Sequence, residues 1–157
     1  MNADQRKSLL ADLRSAVEEV MDRSTALLQV ASMVRRSANY RWVGLYDVDH
    51  RAGKVVNIVW SGPGAPEYPV FPISKGLTGV AISERRTINV ADVTADPRYL
   101  MAFGTTRSEI IVPVFDDRNE RVIGTIDIES AEPNAFPAEV QEVLEACCRA
   151  IQPLWKR

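Results

Sequence analysis

Ser108–Val114, SEIIVPV, and Val122–Ser130, VIGTIDIES, decide the fold. The stretch between them, DDRNER, is polar and rich in breakers, so the two segments read as adjacent antiparallel strands joined by a turn. Strand side chains alternate with a period of two, which puts Asp127 and Glu129 on one face. Centring the turn on Arg118 sets Glu109 directly opposite Asp127, and three carboxylates then share that face. Ile110, Val112, Val114, Val122, Ile126 and Ile128 form the opposite, apolar face. Carboxylates this close repel one another and need water, protons, a metal or a cationic ligand between them. The competing interpretation is the wet side of an antiparallel sheet.

Outward from the hairpin, the chain alternates between the two regular periods. TINVADV reads as a strand and TADPRYLMAFGTTR as a loop or helical turn. KGLTGVAISERR reads as a short helix with a glycine-rich start, and VFPIS as an edge strand marked by Pro72. GPGAPEYP is a loop, because its prolines and glycines oppose regular structure. KVVNIVWSG pairs as a hairpin with an aromatic strand from Arg41 to Val48, in which Trp42, Gly44 and Tyr46 share one face. Residues 3–21 carry a helical stripe of Leu9, Leu10, Leu13, Ala16, Val17 and Val20. Ser24 to Ala38 reads as a second helix capped by Ser24. FPAEVQEVLEACCRAIQPLW is a closing helix with Pro137 near its first turn. The expected architecture is α+β, with the terminal helices packed together across the apolar face of a sheet.

The 157 residues are enough for one domain with a core, and 46% apolar and 25% charged residues are ordinary for a globular chain. A net charge of −2 gives no electrostatic case for nucleic acid. No apolar run reaches membrane-spanning length, and the N-terminus is too charged for a secretory signal, so a cytoplasmic location is expected. The two cysteines, Cys147 and Cys148, are adjacent and cannot form a C-x-x-C pair; core filling suits at least one of them. His50, the single histidine, falls in a turn and reads as solvated surface. Neither a Ser/His/Asp triad nor a zinc site is expected, and no cofactor.

The order of RWVGLYDV, PISKGLTGVAISERRTINVADVTADPRY, SEIIVPV and RVIGTIDIES resembles a GAF domain from about Tyr40 onward. Residues 1–39 then form a helical extension and 40–157 the domain core with its closing helix, one domain in all. Within that family the chain is most similar to the free methionine-(R)-sulfoxide reductases, which carry W-x-G-x-Y, S-E-I-V-x-P and G-x-x-D-I-[DE]-S strands. The resemblance implies a GAF-like central antiparallel sheet, with helices on one face and a ligand pocket on the other. It implies a pocket lined by Trp42, Tyr46, Glu109, Asp127 and Glu129, so that the aromatic and acidic faces are the same face. The reductases use cysteine thiolates. At the corresponding positions this chain has Tyr68, Thr78 and Ala102, and threonine cannot run a sulfenic acid and disulfide cycle.

The expected function is therefore a non-catalytic, sensor-type GAF domain holding a small amine or amino-acid-like ligand and signalling to an unknown downstream partner. The alternatives are a reductase-like enzyme with altered chemistry, or a dimerisation module with a vestigial pocket. Trp60, Tyr99, Met101 and Phe103 are candidates for the mouth of the pocket or for ordinary packing. Gly76 and Gly79 are candidates for open backbone N–H groups facing an anion. Arg85, Arg86 and Arg107 read as solvated. The apolar surplus of the terminal helices suggests a homodimer.

Overall fold

The computed structural model describes residues 1–19, 21–100 and 104–156. Six strands make one antiparallel sheet: β1 (Trp42–Asp49), β2 (Lys54–Ser61), β3 (Val70–Pro72), β4 (Ile88–Val90), β5 (Ser108–Phe115) and β6 (Val122–Ser130). Their order across the sheet is β3-β2-β1-β6-β5-β4. The helices are α1 (Ala3–Glu18), α2 (Arg23–Ser37), α3 (Gly76–Glu84) and α4 (Ala138–Ile151), with 3-10 turns at Val93–Ala95 and Gln152–Lys156. The α+β architecture and the element order agree with the pattern in the sequence.

The sheet divides the molecule into two layers. On one face, Val43, Leu45, Ile110, Val112, Val114, Ile126 and Ile128 meet Leu9 and Leu13 of α1, Leu27, Val30 and Val34 of α2, and Val140, Leu144 and Ile151 of α4. Cys147 and Cys148 belong to this core, and both are buried. On the other face, α3 packs Leu77 and Ala81 onto Ile88, Val90 and Ile111. A second cluster there joins Trp42, Tyr46, Val55 and Phe71.

Several local expectations need correction. The β5–β6 turn centres on Asn119, not Arg118. Asn119 adopts a left-handed conformation (φ 55°), and the Asp116 carboxylate accepts from the backbone N–H groups of Glu120 and Arg121. Glu109 therefore faces Glu129, and Asp127 faces Ile111. The slip is two residues in register, so every side chain keeps its face. Val122 is the exception. A bulge between Val114 and Phe115 turns it to the Trp42 side of the sheet. Helix α2 is capped by Asp22, which accepts from the Thr25 N–H at 2.9 Å, so the cap precedes the expected Ser24. Helix α1 ends at Glu18, short of Met21. His50 is half-buried rather than solvated, and its Nε2 lies 2.7 Å from the Val122 carbonyl.

Candidate functional site: a buried carboxylate cluster

The register sets two rows of residues across the face opposite the terminal helices. One row runs Trp42, Glu129, Glu109, Val90; the next runs Trp60, Gly44, Asp127, Ile111. Gly44 is the hinge of this arrangement. A Cβ there would lie 2.2 Å from the Trp42 ring and 2.9 Å from the Tyr46 ring. Its missing side chain lets both aromatics lean over the strand, with ring centroids 6.5 Å apart. Tyr46 meets Phe71 edge-on at 5.8 Å. The loop after β2 clasps the indole: Gly62 packs against it, and Trp42 Nε1 donates to the Gly64 carbonyl at 3.0 Å.

Glu109, Asp127 and Glu129 converge beside these rings, one oxygen of each lying within 4.8 Å of the others. Their exposures are 5%, 9% and 1%. Glu109 and Asp127 hydrogen-bond to each other through their side chains. The Thr106 side chain hydrogen-bonds to Glu129, and the Arg41 charge favours its ionised form; among the described residues, Asp127 Oδ1 has no hydrogen-bond partner. Burial pushes the Asp127 carboxyl up to about 6. Burial, reinforced by the Asp127 charge, pushes Glu129 up to about 9. Glu109 is raised well above the carboxylate range by burial and then by the charges of its two neighbours. The same acids, after burial, hold the Tyr46 phenol in its neutral form.

A cavity of about 40 Å³ opens onto Glu109 and Asp127. Its walls are Tyr46, Pro66, Tyr68, Phe71, Leu100 and the start of α3, from Lys75 to Thr78. Helix α3 has no side-chain cap for its first N–H groups, and its first residues, Gly76 to Thr78, line this space. The structure brings Trp42, Tyr46, Glu109, Asp127 and Glu129 to one face of the sheet and places Tyr46, Glu109, Asp127, Tyr68 and Thr78 on the wall, whereas Trp42 and Glu129 are buried behind it rather than lining the cavity. Ala102, Met101 and Phe103 lie outside the described residues. Trp60 and Tyr99 are not on the wall: Trp60 packs against the aromatic cluster, and Tyr99 against the core under α3. Gly79 does not present an open N–H, because it donates to the Lys75 carbonyl at 2.9 Å. A Cβ on Gly79 would meet the Ser74 backbone at 2.5 Å, so this glycine serves close packing. Lys75, Pro66 and Leu100 carried no signal in the sequence, because a loop's path is invisible to periodicity. Gly44 did carry one, as the small residue between two aromatics on the same face.

Comparison with known proteins agrees with this architecture. The chain is 26% identical over 133 residues to GAF domain-containing protein A of Dictyostelium discoideum, covering 85% of this chain and 81% of that one. It is 28% identical over 115 residues to the free methionine-R-sulfoxide reductase of Saccharomyces cerevisiae, covering 73% of this chain and 63% of that one. The free methionine-R-sulfoxide reductase of Neisseria meningitidis, solved in complex with its substrate, superposes with a TM-score of 0.89 at 26% identity, over 99% of this chain and 92% of that one. The family profile described as GAF domain matches residues 22–152, from the cap of α2 to the end of α4, and the chain belongs to the GAF domain family.

Proposed function

We propose that this chain is a non-catalytic binding module for a small amine, with an amino acid or a derivative of one as the best-fitting class. The observation that carries the reading is the trio of buried carboxylates beside Trp42 and Tyr46, facing the uncapped start of α3. An ammonium group relieves the mutual repulsion of the acids through charge-assisted hydrogen bonds. The aromatic faces add about 0.5–2 kcal/mol of cation–π attraction. A carboxylate at the other end of the ligand meets the N–H groups and the positive dipole end of α3. Nucleotide phosphates would meet the acids and are disfavoured. The cavity holds about one water molecule, so an amino acid enters only as the loop bearing Pro66 and Tyr68 draws back. In this reading the protein is a cytoplasmic sensor, assembled as a homodimer and coupled to a partner chain that carries the signal.

The likeness to reductases motivates a second reading, an enzyme acting on the same ligand class. Against it, Cys147 and Cys148 lie in the core on the opposite face of the sheet, with Cys148 Sγ packed 3.9 Å from the Val112 carbonyl. Thiol-coupled turnover assays with free methionine-(R)-sulfoxide separate the two readings: no turnover is expected, and turnover would replace the binding module with an enzyme. Titration calorimetry with methionine, its sulfoxides, simple amines and cyclic nucleotides tests the binding reading. Amine binding lost in Glu109→Gln or Asp127→Asn is the expected result. Tight cyclic-nucleotide binding, or amine binding indifferent to both substitutions, overturns it.

A further inference from the structure

We propose that the open recess between the end of α3, the outer edge of β5 and α4 binds a small organic anion, a carboxylate or phosphate carried on an apolar body. The recess encloses about 560 Å³, within the size range of small-molecule sites. It shares no wall residue with the cavity at Glu109 and Asp127, so the proposal does not rest on the amine reading. The recess exists because β4 is short. That strand pairs with β5 only from Glu109 to Ile111, while β5 runs on to Phe115. The floor left uncovered is Val112, Pro113 and Phe115, joined by Cys148 from α4. Phe115 is half-buried and the others are buried, which makes the base apolar. Hydrogen bonds between elements stitch the walls together. Arg85 Nη1 donates to the Glu120 carbonyl at 2.9 Å and ties α3 to the β5–β6 turn. Thr87 Oγ1 donates to Glu145 Oε1 at 2.7 Å and ties the start of β4 to α4. Gln152 Nε2 donates to Asp117 Oδ1 at 2.8 Å and ties the end of α4 to the same turn. A recess framed in this way is formed before a ligand arrives, which lowers the cost of binding.

The polar groups on the walls set the charge of the ligand. The acids there are already engaged. Asp116 accepts from the backbone N–H groups of Glu120 and Arg121, and Asp117 pairs with Lys156. Glu145 accepts from Gln141 as well as from Thr87. Arg85 and Arg149 also line the recess, and among the described residues neither forms an ion pair. Guanidinium N–H groups therefore remain for a ligand, and their planar fork suits a carboxylate or a phosphate. Arg85 holds its place against its own backbone preference. It ends α3 in a left-handed conformation (φ 52°), where glycine fits without strain. The floor supplies the other half of the specificity. An apolar body laid on Val112, Pro113 and Phe115 leaves water, a gain that a bare inorganic ion lacks.

The experiment titrates the full-length protein with phenyl phosphate and follows its amide NMR spectrum, with inorganic phosphate and phenol in parallel. The expected result is saturable shifts at Thr87, Phe115 and Gln152, with Gly44 and Asp127 unmoved. Affinity should fall about tenfold in Arg149→Gln, which removes one charge-assisted partner. Arg51→Gln, in the exposed β1–β2 turn, should bind as wild type. Inorganic phosphate and phenol should each bind several-fold more weakly than the ester. Circular dichroism establishes that each variant is folded. No saturable shift at millimolar phenyl phosphate overturns the proposal. So does binding that Arg149→Gln leaves unchanged, or inorganic phosphate or phenol that binds as tightly as the ester.

Discussion

At the residue scale, the buried acids make the folded state pH-sensitive in a direction opposite to that of most carboxylates. A paired surface acid has a lowered pKa and stabilises above the acid range. Here the folded pKa values are raised, to about 6 for Asp127 and about 9 for Glu129. The folded protein therefore keeps protons that the unfolded chain has already lost, above about pH 4.5. Stability from these groups is complete below that range and drains away as pH rises through 6 and then 9. The three acids titrate as one system. Glu129→Gln removes one of the groups that hold their protons longest. Its melting temperature should exceed that of wild type by on the order of 5 °C at the alkaline end of the range, with the gap closing toward pH 5. Thermal unfolding across that range checks this, and a constant gap would refute it. The cysteines are a second residue-scale case. Burial pushes the Cys147 thiol up to about 12 and Cys148 well above its ordinary value. Little thiolate is present near neutrality, so alkylation should proceed only in denaturant. Rapid labelling of the native protein would show that α4 opens readily.

At the scale of elements, glycine positions decide how strands meet their neighbours. Gly124 of β6 lies under Trp155, whose ring would come within 2.1 Å of an added Cβ. Trp155 is itself held by Arg23, which stacks 6.0 Å from the ring centroid and also pairs with Asp47 of β1. Gly124→Ala should cost about 1–3 kcal/mol by forcing this junction apart, read as a fall in the denaturation midpoint. Gly44→Ala acts on the other face. Displacing Trp42 and Tyr46 should abolish amine binding while leaving a folded protein, a split that calorimetry and circular dichroism separate. Asp22 caps α2, and Asp22→Ala should lower the melting temperature with no effect at the site. Much of this was legible in advance. The period-two runs of β1, β5 and β6 place Trp42, Gly44, Tyr46, Asp127 and Glu129 correctly by face. The turn register was not legible, because DDRNER offers several residues able to take its left-handed position, and Asn119 takes it.

At the scale of the whole molecule, the terminal helices consume most of the apolar surplus that their sequences suggest. Leu9, Leu13 and Ala16 are buried, while Leu10, Val17 and Met33 pack against the core. Among the described residues, Leu28 is the large apolar residue this layer leaves exposed, at 47%. If the proposed homodimer uses these helices, Leu28 is at its centre. Light scattering should then show a dimer that Leu28→Asp converts to monomer, and a wild-type monomer at high micromolar concentration would remove the proposal. Among the described residues no helix is long and apolar enough to cross a membrane. The sequence by itself determined the element order, the two faces of the hairpin and the gathering of three acids on one of them. These follow from local periodicity, which each strand carries in its own residues. Only the tertiary structure decided that this face is buried rather than wet. An acid on a strand is solvated or desolvated according to what covers it. Here the cover comes from α3, Phe71 and the loop through Pro66 and Tyr68, which are distant from the acids in the chain. The near closure of the cavity, the Glu109–Glu129 pairing and the seating of both cysteines behind the sheet have the same origin, because each depends on contacts between segments that share no local pattern.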